Sequence, residues 1–88
     1  MLPVGSGSGQ IWLKDEFLCN VEYKVDEARE LAKRVRVQRI VLDVPEKHCE
    51  ELLDAYELAL VLADGQRWRI PRPLQHVGLG AVESYVEV

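Results

Sequence analysis

The stretch "ELALVLADGQRWRI", Glu57–Ile70, carries the strongest structural signal in the chain. Leu58, Leu60 and Leu62 alternate with Ala59, Val61 and Ala63, so both faces of the first half are apolar. Alternation of this kind is the period of a β-strand, and apolar side chains on both faces mark a strand covered on both sides. Asp64-Gly65 follows, a pair that predicts a type I′ hairpin turn because both central residues must accept positive φ. The returning strand is of another kind: Trp68 and Ile70 share one face, and Arg67 and Arg69 the other. Pro71 and Pro73 then end its ladder or place it at a sheet edge, since proline offers no N–H.

The flanking segments continue the two-residue period. In "QIWLKDEFLCNVEYKVD", Ile11 and Leu13 share a face, and so do Val21, Tyr23 and Val25, with Glu22 and Lys24 opposite. Lys14-Asp15-Glu16 predicts the turn of a hairpin. "RVRVQRIVLDV" is β-branched and alternating, with Ile40, Leu42 and Val44 on one side. Val35 and Val37 fall on the opposite parity, which implies either a bulge near Gln38-Arg39 or a strand end buried on both sides. "AVESYVEV" reads as a last strand, with Val82, Ser84, Val86 and Val88 on one face.

Helical spacing occurs in two places. In "DVPEKHCEELLDAY" the apolar stripe of Cys49, Leu52, Leu53 and Tyr56 faces an acidic stripe of Glu46, Glu50 and Asp54. This predicts the main helix over residues 45–56, started by Pro45 in the first turn and an Asp43–Glu46 capping box, or by a cap at Val44. Ala28, Leu31, Ala32 and Val35 also fall at helical spacing, so residues 26–34 are expected as a short helical turn, with a hairpin loop as the alternative.

The expected fold is therefore α+β and β-dominated: a small antiparallel barrel-like sheet of about five to six strands, with one main helix at about residues 45–56. With 88 residues the chain makes one domain, residues 10–88, which buries roughly 60–65% of its unfolded surface. "GSGSG" at 5–9 reads as a linker, and residues 1–9 as a flexible tail. A content of 48% apolar and 30% charged residues excludes a disordered chain. The opening "MLPVGSGSGQ" has neither a basic nor an apolar signal-peptide region, and "LALVLA" is too short to cross a bilayer, so a cytoplasmic protein without a membrane partner is expected.

Catalytic and metal signatures are weak. His48 and Cys49 are neighbours on a helix, roughly 100° apart, and cannot pair directly. Cys19 and Cys49 lie among apolar residues and are expected as buried small hydrophobes rather than a disulfide framework. Cys19, His48, Cys49 and His76 lack any metal-ligand spacing, and "GLG" at 78–80 lacks the strand–glycine–helix context of a phosphate loop. No catalytic residue, metal site or cofactor is expected; His48 is expected on a solvated helix face and His76 in a loop.

Two basic clusters remain. "KRVRVQR" carries Lys33, Arg34, Arg36 and Arg39, and "RWRIPR" carries Arg67, Arg69 and Arg72. Arg34, Arg36, Arg39, Arg67, Arg69 and Arg72 are the candidate binding residues; if their strands are neighbours, the four guanidiniums of Arg34, Arg36, Arg67 and Arg69 form one positive patch. If not, these arginines pair with Glu22, Glu83 or Glu87 and cover the sheet. The net charge of −4 argues against nonspecific nucleic-acid binding. The expected function is a small non-enzymatic binding or adaptor module that meets a protein partner through an arginine-bearing sheet face. Nucleic-acid or nucleotide binding by the same arginines is the alternative. A homodimer is the further expectation, because the chain ends inside an apparent strand with an edge to offer.

Overall fold

The computed structural model describes residues 2–72, 74–78 and 80–88. Alternation draws most of them into eight strands and one helix. The order is β1 (Gly5–Leu13), β2 (Glu16–Val25), β3 (Arg29–Ala32), β4 (Val35–Asp43), α1 (Glu46–Asp54), β5 (Leu58–Leu62), β6 (Arg67–Ile70), β7 (Gln75–Gly78) and β8 (Ala81–Glu87). All pairings are antiparallel and give the sheet order β6-β5-β1-β2-β4-β8-β7, with β3 paired to β4. The fold is thus α+β and β-dominated. The sheet curls around one core but stays open, since among the described residues no ladder joins its end strands.

The inner face holds Ile11, Val21, Ile40, Leu42, Leu58, Leu60, Ile70 and Val82 in one cluster, and α1 adds Cys49 and Leu52 to it. Each large aliphatic side chain buried there contributes roughly 1.5–3 kcal/mol. Gln38 is buried at the rim of this core. Its amide accepts from the Leu2 N–H at 2.7 Å and donates to the Leu2 carbonyl at 2.8 Å. Both polar ends of Gln38 are therefore satisfied by the N-terminal segment.

The count of eight strands exceeds the expected five to six because β3 and β7 are four residues long and exposed throughout. With no face to bury, neither shows apolar alternation. Residues 26–34 form a hairpin with β4 rather than a helical turn. Arg34 takes a left-handed φ of 65° in the turn, and Leu31, on the supposed helical stripe, is 60% exposed. That stripe finds nothing to pack on, so strand pairing wins. His76 lies in β7, not in a loop, and is exposed. Leu79, the centre of "GLG", lies outside the described residues, as does Pro73.

Residues 5–9 are not a linker but the first half of β1, paired from Gly5↔Val25 to Gly9↔Val21. The glycines let strands and rings approach closely. A Cβ on Gly7 would stand 2.8 Å from the Tyr23 hydroxyl, and one on Gly9 would stand 2.8 Å from Leu60 Cδ1 and 3.0 Å from the Val61 carbonyl oxygen.

The main helix is shorter than 45–56. Pro45 (φ −51°, ψ 131°) precedes it as N-cap with no side-chain cap, so neither the Asp43–Glu46 box nor the Val44 cap forms. The β4–β8 register runs unbroken from Val37↔Glu87 to Asp43↔Ala81, which excludes the bulge at Gln38-Arg39. Instead Val37 and Gln38 are both buried, the two-sided strand end. The Ala63–Gln66 turn is not type I′. Only Gly65 is left-handed (φ 90°), and Gly65 N–H donates to the Leu62 carbonyl while Leu62 N–H donates to the Gln66 carbonyl. This is an ordinary turn followed by a glycine bulge. Asp64 favours it by accepting from the Gln66 N–H at 3.0 Å. The last strand is not the free edge on which a homodimer was expected: β8 lies between β4 and β7.

Candidate binding face

The strand order scatters the six arginines. β5, β1 and β2 lie between β6 and β4, so Arg67 and Arg69 do not adjoin Arg34, Arg36 or Arg39. Sequence distance carries no information on that order.

Four of the six have identifiable tasks or places. Arg39 lies on the outer face, ion-paired to Glu83 and 3.8 Å from Asp26. The Glu83 hydrogen bond holds its guanidinium above its usual pKa. Arg72 donates to the carbonyls of Leu53, Asp54 and Ala55 and stacks 5.3 Å from the Tyr56 ring centre, closing the C-terminal end of α1. These carbonyls have no partner inside the helix, and a cation there also suits the helix dipole. Arg34 sits in the β3–β4 turn, and Arg36 faces Glu30 across that hairpin.

Arg67 and Arg69 lie two residues apart on one strand. Both are exposed on the outer face of β6, and, as with Arg34 and Arg36, none of the ion pairs among the described residues includes either. Arg67 donates to the Lys14 carbonyl at 3.0 Å, which carries its stem along the sheet. The register places Trp12, Ala59 and Arg69 in one row across β1, β5 and β6, and Gln10, Val61 and Arg67 in the next. Strand spacing puts the backbones of Trp12 and Arg69 about 10 Å apart. Beside the small Ala59 lies a groove of about 510 Å³, lined by Lys14, Asp15, Glu57, Leu58, Ala59, Arg67 and Arg69.

The aromatic of this face is Trp12. Its ring meets Phe17 edge-on at 5.9 Å and 70°, and Phe17 is 47% exposed. Trp68 points to the other side, against the core, edge-on to Tyr23 at 5.6 Å. Trp12 was legible in the sequence: with Ile11 and Leu13 inward, parity sends it outward.

The remaining reactive groups lie elsewhere. Cys19 and Cys49 are buried thiols, and burial pushes Cys19 above its ordinary pKa. His48 contacts Glu51 at 3.1 Å on α1. Among the described residues no group of three or more His, Cys, Asp or Glu gathers as metal ligands, and no helix is long and apolar enough to cross a membrane. No family model, curated protein or solved structure matches the chain.

Proposed function

We propose that the protein is a non-enzymatic binding module that takes an acidic protein segment on the outer face bearing Trp12, Phe17, Arg67 and Arg69. The observation that carries this reading is the exposed pair of guanidiniums outside every ion pair among the described residues, with Arg69 one alanine away from half-buried Trp12 and its exposed neighbour Phe17. Arginine and aromatic side chains are the residues that dominate binding energy at interfaces. Arg39 and Arg72 are engaged by the fold, so they leave the site proposed from the sequence. The alternative of a nucleic-acid ligand loses support with the dispersal of the arginines, because phosphate chains need several cations in line.

The test compares capture from the native cell by the wild-type chain, by Arg67→Gln/Arg69→Gln and by Arg34→Gln/Arg36→Gln. Partners lost only with the β6 pair support the reading. Identical capture by all three overturns it, and so does a low-salt mobility shift of oligonucleotides that the β6 pair abolishes.

A further inference from the structure

We infer that the partner segment binds in extended form, as an added strand on the free edge of β6, with acidic residues at alternate positions. The inference rests on the binding face proposed above and specifies how that face is used.

β6 ends the sheet order, so among the described residues one side of it has no ladder. Which backbone groups point that way follows from the register. The Leu62 N–H donates to the Gln66 carbonyl. Hydrogen-bonded and non-bonded pairs alternate along an antiparallel ladder. Leu60–Trp68 and Leu58–Ile70 are then the bonded pairs, and Ala59–Arg69 and Val61–Arg67 the others. The N–H and C=O groups of Arg67 and Arg69 therefore point to the open edge. Pro71, the next residue of that parity, has no N–H and stops further pairing.

The two residues that offer edge hydrogen bonds thus also carry exposed guanidiniums that belong to no ion pair among the described residues. A strand added here pairs its backbone with Arg67 and Arg69, and its residues directly opposite them project to the same outer face. Those residues are two apart in the partner, so the complementary pattern is acid–x–acid. Backbone bonds supply the affinity of such strand addition, and the alternate side chains supply its specificity. The charge match selects an acidic segment over a neutral one, and Pro71 limits the site to a short stretch.

A blocked peptide of alternating glutamate and valine is the probe, titrated into the full chain at low salt and followed by backbone amide resonances. The expected result is a shift led by the Arg67 and Arg69 amides. Backbone N-methylation of the two glutamates, which removes edge N–H groups but keeps the charges, is expected to weaken binding by about tenfold or more. Arg67→Gln/Arg69→Gln is expected to weaken it similarly, with the remaining resonances unmoved as evidence of an intact fold. Equal binding of the N-methylated peptide would overturn strand addition while leaving the acidic-partner reading standing. No binding at millimolar peptide would also overturn strand addition, and the capture comparison then judges the face on its own. Equal shifts of the same amides by oligothymidine would overturn it in favour of a phosphate chain.

Discussion

The Ser84 hydroxyl, on the inner face of β8, donates to the Pro71 carbonyl at 2.5 Å, just beyond the end of β6. Among the described residues the two strands share no ladder, so this contact ties the curled sheet together across its open seam. Ser84 is 1% exposed, and its loss leaves a carbonyl to find water at the edge of the core. Ser84→Ala is expected to cost about 1–2 kcal/mol in urea unfolding. Amide exchange at Ile70 is expected to quicken more than at Leu42. An unchanged unfolding midpoint would show that the seam is held by packing alone.

Gly9 and Gly7 test whether the glycine-rich start is a working strand. Gly9→Ala forces a methyl against buried Leu60 and the Val61 backbone, an overpacking expected to cost about 1–3 kcal/mol. Gly7→Ala meets the outer end of the half-buried Tyr23 ring, which can swing aside, so its cost is expected to be smaller. Urea unfolding of both variants checks the ranking. A flexible linker would show no effect from either.

Arg72 is expected to matter to α1 rather than to a partner. Arg72→Ala removes the donor to three helix-end carbonyls and the contact with Tyr56. The expected loss is about 1 kcal/mol, with reduced protection of the last turn in hydrogen exchange. Arg72→Lys is expected to recover only part, because an ammonium lacks the planar fork that spans several acceptors. Partner capture is expected to be unchanged by either variant.

Cys19 gives a pH dependence of definite sign. Burial is the first cause of its raised pKa, with Glu51 and Cys49 adding to it and Lys47 opposing. The folded chain therefore holds this proton more tightly than the unfolded chain. Its contribution to stability is complete below the ordinary thiol pKa and is lost as the pH rises through the folded value. The stability gap between wild type and Cys19→Ala is expected to narrow as pH rises above that ordinary value. Urea unfolding on both sides of it measures the change. Alkylation of Cys19 at neutral pH is expected to be slow, limited by opening of the core. A gap independent of pH, or fast alkylation, would contradict the buried thiol.

Much of the fold was legible without coordinates, and particular residues show why. Leu58, Leu60, Val21, Val25, Ile40, Leu42 and Val82 reached the core as their alternation requires, since a half-buried strand must segregate its side chains. Ile70 did so too, with Trp68 behind it. Where no burial accompanied a strand, as in β3 and β7, no pattern announced it. In β1, glycine and serine hid a paired strand behind the composition of a linker. The turn at Ala63–Gln66 took the second-best geometry for Asp64-Gly65 because both admit glycine at a left-handed position.

The sequence by itself determined the class of fold, the main helix, the inner-face residues and the outward direction of Arg67, Arg69 and Trp12. All of these follow from local periodicity. Tertiary structure alone decided which strands are neighbours, and with that the separation of Arg34, Arg36 and Arg39 from Arg67 and Arg69. It alone engaged Arg39 with Glu83 and Arg72 with the end of α1, and left the edge of β6 open. Strand order depends on the pairing of residues far apart in the chain, and the local period is the same whichever partner a strand finds.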